Sequence, residues 1–338
     1  MVEFDVKDDL VTRFGTIYGE EEISAVAEVI RAGAATNDEK VHAFEEAFAD
    51  YCGVGHAIAV TSGTTALNLG CVAAGVGPGD RVLVPAVTWI ATANAAALQG
   101  AAVTFVDIDP ETFNMDPGDL ERKITDDTKL IIPVHLYGQP CDMDPVMEIA
   151  EDSRALVMTD CAHAPGGKYK GRMVGSLAHL GAFSFHQQKN MSTLGEGGML
   201  TTDDDRMAAR AEMFRNHGRL GHSHEFSMIG HNYRMTEVQG AVGIIQLGKL
   251  DSLNDRRISN ARLLTELISN VEGIRPPRVM EGVKHVFHLY NLGFTTSPAH
   301  GGAGTAANEI DLLHPVKHCL NLFPRLLPSD CFHTCTPL

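Results

Sequence analysis

Two hydrophobic periods alternate along the chain. Seven short runs are almost continuously apolar and of strand length: "HAIAV" (56 to 60), "RVLVP" (81 to 85), "AAVTFVDI" (101 to 108), "KLIIPVHL" (129 to 136), "ALVMTD" (155 to 160), "GAFSF" (181 to 185) and "GGMLTT" (197 to 202). Such runs read as strands buried on both faces. Between several of them, stretches 64 to 75, 90 to 100, 116 to 124 and 143 to 152 read as helices, the second and third preceded or opened by Thr, Asp or Pro as a helix start should be. Strand and helix in turn predict an α/β fold, a mostly parallel sheet with helices on both faces. Upstream, "GEEEISAVAEVIRAG" (19 to 33) and "DEKVHAFEEAFADYCG" (38 to 53) predict two helices, each closed by Gly. Downstream, residues 235 to 270 predict a long helical tract starting near Thr236. Its Gly240, Gly243 and Gly248 argue for close approach of backbones and against an unbroken helix. No internal repeat is visible.

Composition narrows the function. A chain of 338 residues can bury a large core, in one large domain or two unequal ones. Lys plus Arg total 27 against 43 Asp plus Glu, a net charge of −16, which repels phosphate backbones and anionic membranes at long range. The start "MVEFDVKDDL" has neither a basic nor an apolar leader region, and no later run approaches a membrane span. A soluble, cytoplasmic protein is expected. Cys52, Cys71, Cys141, Cys161, Cys319, Cys331 and Cys335 are odd in number and mostly far apart, which fits reduced core thiols better than a disulfide framework.

Ligands of open α/β sheets sit beyond the carboxyl ends of the strands, and four polar features fall there. After "HAIAV", the turn "TSGTT" (61 to 65) leads into a helix whose free amides, with the hydroxyls of Thr64 and Thr65, make a seat for a phosphate; Ser, Thr and Gly also cap ordinary helices. Neither GxGxxG nor a Walker pattern is present. Trp89, the single tryptophan, follows "RVLVP", where it is either a core aromatic or a ring that stacks on a planar ligand. Asp160 closes "ALVMTD" as a helix cap or as the partner of a ligand cation, with His163 three residues on. A metal held by Asp160, Cys161 and His163 is disfavoured by their spacing. Lys189 stands between the apolar run ending at Phe185 and the glycine turn 195 to 198. A lone lysine is usually a solvated charge, but one desolvated in such a site has a lowered pKa and can condense with an aldehyde. Pyridoxal phosphate combines an aldehyde, a phosphate, a flat ring and a pyridine nitrogen that works best protonated, so it needs all four features.

With these residues the chain resembles the DegT/DnrJ/StrS-type sugar aminotransferases, pyridoxal-phosphate enzymes of fold type I. The likeness runs from about residue 14 to 294 and is densest in "TSGTTALNL", "PAVTWIATANA", "PVHLYGQPCDM", "TDCAHAPGG", "FSFHQQKNMSTLGEGGM" and "HNYRMTEVQGAVGIIQL". The resemblance implies that Lys189 carries the Schiff base and then shuttles a proton, and that Asp160 pairs with the pyridinium nitrogen. It further implies that Trp89 covers one ring face, that His163 lies near the phenolic oxygen, and that Gly63, Thr64 and Ser184 hold the phosphate. Asn232 would reach into a neighbouring subunit, implying a homodimer with shared sites. The donor implied is glutamate or glutamine, and the acceptor a keto sugar, most often nucleotide-linked, or a cyclitol ketone. Relatives that dehydrate sugars carry His in place of the lysine, which Lys189 argues against; His186 reads as a polar loop residue.

The resemblance weakens after "HVFHLYNLGF" (285 to 294). "TTSPAHGGAGTAANEID" reads as a flexible connection, and the tail is shorter than in relatives, which leaves open a cofactor-binding but weakly active partner or regulatory subunit. "AATNDEK" (34 to 40) has Asp38 and Glu39 where relatives tend to have a Gly-containing turn. Cys331, His333 and Cys335 make a poor metal set. The division expected is a large cofactor-binding domain over 1 to 250 and a small carboxyl-terminal domain over 251 to 338.

Overall fold

A computed structural model describes residues 10–11, 17–34, 36, 38–221 and 224–294. The chain divides into compact units at residues 1–293 and 294–338, so nearly all described residues belong to the first. The tail segment, with Cys319, Cys331, His333 and Cys335, lies outside the described residues.

Seven strands form the central sheet: β1 (His56–Val60), β2 (Arg81–Pro85), β3 (Ala102–Val106), β4 (Thr128–Ile131), β5 (Leu156–Asp160), β6 (Leu180–Ser184) and β7 (Gly198–Thr202), in the order β1-β7-β6-β5-β4-β2-β3. Every pairing from β6 through β5, β4 and β2 to β3 is parallel, while β7 runs antiparallel to both β6 and β1. The mostly parallel sheet expected from the apolar runs is therefore present. One reading needs correction: β3 is not buried on both faces, because it forms the edge and leaves Ala102 and Phe105 exposed.

The helices are α1 (Glu20–Ala32), α2 (Glu39–Cys52), α3 (Gly63–Ala73), α4 (Ala91–Ala97), α5 (Pro117–Lys123), α6 (Met143–Ser153), α7 (Asp205–Arg215) and α8 (Glu237–Ile268). Alternate strand residues feed two cores. Ala57, Ala59 and Leu83 pack with Phe44 and Phe48 of α2 on one face, whereas Ile58, Val60, Val82 and Val84 pack with Leu67 and Leu69 of α3 on the other. Phe48 meets Phe183 edge-on at 4.9 Å and Phe185 at 5.4 Å, pairs worth about 0.5–1.5 kcal/mol each beyond burial.

Contrary to the expectation of a break, α8 is continuous through its three glycines. Two of them serve close packing, as expected: a Cβ on Gly240 would stand 2.8 Å from the Val41 nitrogen, and one on Gly243 would stand 2.7 Å from the Phe44 ring. The same contact explains how α2 begins without a side-chain cap of its own at Asp38. The buried Glu237 of α8 accepts from the amides of Asp38, Lys40 and Val41 at 2.7, 2.8 and 3.2 Å, placing a carboxylate at the positive end of α2. A polar, weakly periodic sequence hid α7 from sequence reading.

Candidate active site

The parallel strands bring their carboxyl ends to one rim. Asp160 is the last residue of β5 and Ser184 the last of β6, while β1 leads through Ser62 into α3 and β2 leads to Trp89. Lys189 lies in the connection between β6 and β7. Register aligns the rim: Ser184 pairs with Gly198, and Gly198 with Val60.

At the start of α3, the Ser62 hydroxyl accepts from the Thr65 amide at 3.2 Å, and the Thr65 hydroxyl donates to the Ser62 carbonyl at 2.7 Å. Thr65 is thus a capping residue, the second of the two readings that the sequence left open for this turn. The first intrahelical bond runs from Ala66 to Ser62, so the amides of Gly63 and Thr64 precede the ladder and point out of the helix end. Thr64 is exposed there. Gly63 is needed because a Cβ on it would stand 2.6 Å from Ser184 Cβ, and Gly198 because its Cβ would stand 2.3 Å from the Ser62 carbonyl oxygen. These contacts seat the buried Ser184 hydroxyl against the helix end.

Asp160 is 4% exposed. Its Oδ2 accepts from the Thr92 hydroxyl at 2.9 Å and its Oδ1 from the Ala162 amide at 3.1 Å. Thr92 shares a 2.8 Å hydroxyl contact with Thr88, one helical turn back. Burial raises the Asp160 pKa, opposed by these two donors and by the Lys189 charge. Lys189 is depressed from 10.5 to about 8, again chiefly by burial, with Asp160 and Glu196 opposing. Its Nζ makes no hydrogen bond or ion pair among the described residues. The Lys189 loop is built as an extension of the β6–β7 hairpin: Phe185 N donates to Gly197 O at 2.8 Å, Gln187 N to Gly195 O at 2.9 Å, and Lys189 N to His186 O at 2.8 Å. Gly195 holds φ at 110°, and a Cβ on Gly197 would collide with Thr193 Oγ1 at 2.1 Å. His186 is the polar loop residue expected, with Nε2 3.8 Å from Glu196.

His163 accepts from the Tyr137 amide through Nδ1 at 3.2 Å. Burial, helped by the Lys189 charge, holds it well below the usual histidine range and so neutral. The segment 286–289 crosses beside it: Val286 N donates to Gly138 O and Leu289 N to Tyr137 O. His288 stacks on His163 with centroids 4.4 Å apart. Trp89 is 71% exposed, which excludes the core reading and leaves the ring face open. Asn232 is also exposed, on a segment that Thr61, Phe214 and Arg215 fasten: His231 N donates to Phe214 O, Tyr233 N to Arg215 O, and Thr61 N to Tyr233 O. Sequence reasoning missed Thr92 and His288. The first had a signal, hydroxyls at 88 and 92 on one helical face, and His288 lies within the quoted "HVFHLY".

The four needs of pyridoxal phosphate meet on this rim: an unpaired, partly buried amine, a buried carboxylate, free helix amides beside a hydroxyl, and an exposed aromatic. No group of His, Cys, Asp and Glu suited to a metal occurs among the described residues, and no described helix is long and apolar enough to cross a membrane. Cys52, Cys71, Cys141 and Cys161 are free and buried, as their composition implied.

Comparison with known proteins agrees with this geometry. The chain is 42% identical over 291 residues to the GDP-perosamine synthase of Caulobacter vibrioides, covering 83% of this chain and 77% of that one. The crystal structure of S. venezuelae DesV with a ketimine intermediate superposes with a TM-score of 0.79 at 36% identity, over 81% of this chain and 73% of that one. The PLP form of a putative sugar aminotransferase, Spr1654 of Streptococcus pneumoniae, gives 0.81 at 30% identity, over 90% and 81%. The DegT/DnrJ/EryC1/StrS aminotransferase family model matches residues 16–300. The chain belongs to the DegT/DnrJ/EryC1/StrS aminotransferase family and is a pyridoxal-phosphate-dependent aminotransferase of the α/β fold that these enzymes share.

Proposed function

We propose that the protein transfers an amino group from glutamate or glutamine to a keto sugar carried on a nucleotide, as a cytoplasmic homodimer with shared sites. The observation that carries this reading is that the partly buried Lys189 amine, free of hydrogen bonds and ion pairs among the described residues, shares one rim of the sheet with the buried Asp160 carboxylate, close enough for each charge to act on the other. Likeness to a GDP-perosamine synthase supports the nucleotide-linked acceptor.

Pyridoxal phosphate, when bound, supplies an aldehyde that takes up the amine and a ring that draws electrons from the substrate carbon. Gly63 and Thr64 amides, the Thr64 hydroxyl and Ser184 hold the phosphate at the positive end of α3. Asp160, kept oriented by Thr92 and Ala162, pairs with the ring nitrogen, whose positive charge reverses the burial shift and keeps the carboxylate ionised. Trp89 covers a ring face. His163, neutral and protonated at Nε2 because Nδ1 accepts from Tyr137, donates to the phenolic oxygen. Lys189, at about 8, is in part unprotonated at neutral pH; it would hold the cofactor through its amine and, when free, would carry the proton between the substrate carbon and the cofactor's aldehyde-derived carbon. Asn232 serves the partner's phosphate. Residues 1 to 250 would form the large domain and 251 to 338 the small one.

Supplying GDP- and dTDP-linked 4-keto and 3-keto sugars with glutamate tests the reading. An amino sugar formed by the wild-type chain and absent with Lys189→Ala supports it; transfer to a cyclitol ketone alone would replace the acceptor.

A further inference from the structure

A chain of amide and imidazole groups leads from α8 into the site, and its proton positions are fixed by groups that act in one sense only. The Pro165 carbonyl can only accept, and Asn254 Nδ2 donates to it at 2.9 Å, so Asn254 Oδ1 is the atom turned toward Asn190. Asn190 Nδ2 donates to that oxygen at 2.8 Å and to the Val286 carbonyl at 3.2 Å. The Asn190 Oδ1 is therefore the atom 3.1 Å from His288 Nδ1. An amide oxygen only accepts, so His288 Nδ1 carries the proton and Nε2 of the neutral ring carries a lone pair. Burial, together with His163, Lys189, Arg257 and His186 around it, keeps that ring neutral.

His163 has the opposite polarity, since its Nδ1 accepts from Tyr137 and its Nε2 bears the proton. The two rings, with centroids 4.4 Å apart and tilted by 32°, thus carry opposite tautomers. The relay is built at some cost. Asn190 is 2% and Asn254 0% exposed, and a Cβ on Gly166 would stand 2.5 Å from Asn254 Nδ2. Apolar side chains would fill such a core without the demand that every polar atom be satisfied.

Resting on the reading of Lys189 as the reacting amine, we propose that Asn254 and Asn190 are positioning residues that hold His288 in its Nδ1–H tautomer, so that Nε2 accepts a hydrogen bond from the bound substrate. Nitrogen NMR of cofactor-loaded protein labelled at histidine, with His288→Gln to assign the ring, reads the tautomer directly. A protonated Nδ1 and bare Nε2 are expected between about pH 6 and about pH 8; a protonated Nε2 overturns the proposal without touching the aminotransferase reading. Asn254→Leu leaves only the longer bond to the Val286 carbonyl to orient the Asn190 amide, so the second tautomer should become detectable and the acceptor KM should rise about tenfold with a smaller change in kcat. Asn190→Asp offers His288 a carboxylate and should move the acid limb of the kcat/KM profile to higher pH by about one unit. If Asn254→Leu lowers stability but leaves tautomer and KM unchanged, the amides only pack and the proposal fails. Should both variants fail to fold, the wild-type spectrum still decides.

Discussion

The Thr92 hydroxyl donates to the Asp160 carboxylate at 2.9 Å, and both groups are buried. This bond joins the first turn of a short helix to the end of a central strand, and it makes Thr92 one of only two hydrogen-bond donors that the described residues offer that carboxylate. Thr92→Val preserves shape and removes the donor. Hydrogen bonds to charged groups contribute about 1.5–3 kcal/mol, so kcat/KM is expected to fall roughly 10- to 100-fold, with Thr92→Ser recovering most of it. Steady-state kinetics on the three proteins checks this.

Gly63 and Ser184 touch where a side chain on residue 63 would not fit. Gly63→Ala should push the helix end away from the Ser184 hydroxyl and weaken cofactor binding by about tenfold or more, given about 1.4 kcal/mol per decade. Titration of cofactor-free protein with pyridoxal phosphate measures it, and Ser184→Ala should show a smaller loss.

Lys189 gives a stability signature. Its pKa falls from 10.5 to about 8 on folding, so between those values the unfolded chain holds a proton that the folded one lacks, and stability from this group rises with pH through that window. It is lost as pH falls through about 8. Cofactor-free Lys189→Met should therefore be more stable than wild type at pH 7, and the gap should close toward pH 10; urea unfolding at a series of pH values tests the sign.

Arg215 and Glu45 form a buried ion pair, and both serve the backbone of Ala59: Glu45 accepts from its amide at 2.7 Å and Arg215 donates to its carbonyl at 2.8 Å. Arg215→Met leaves Glu45 uncompensated and should cost about 3–5 kcal/mol, with Glu45→Met/Arg215→Met recovering most of it. Because the Arg215 carbonyl also accepts from Tyr233, the single variant should disturb the Asn232 segment as well.

Shared sites have a test of their own. In an equal mixture of Lys189→Ala and Asn232→Ala chains, about half the dimers are mixed and each mixed dimer keeps one intact site. Recovery of about a quarter of wild-type activity is expected, whereas independent sites would give no recovery.

The strands were legible because they are short apolar runs, and Asp160 stood out as the carboxylate closing one of them, whereas Ser184 was reached only through the family resemblance. The candidate amine, carboxylate and phosphate seat were proposed from residue type in and beyond the carboxyl ends of the strands. What the sequence hid was set by contacts across long separations. Glu237 caps a helix 199 residues away, Asn254 orients Asn190 across 64, and the Gly243 notch is visible only against Phe44. For Thr65 the sequence left cap and phosphate seat both open, because the two use the same residue types; the geometry gives it the cap.

The most direct measurement is a visible absorption spectrum of the purified protein with pyridoxal phosphate, before and after adding L-glutamate and then L-glutamine. A yellow Schiff-base band that either amino acid bleaches to the pyridoxamine form, and that Lys189→Ala lacks, is the expected result. A band of equal strength in Lys189→Ala, or its absence from the folded wild-type protein, would contradict the assignment of Lys189 as the reacting amine.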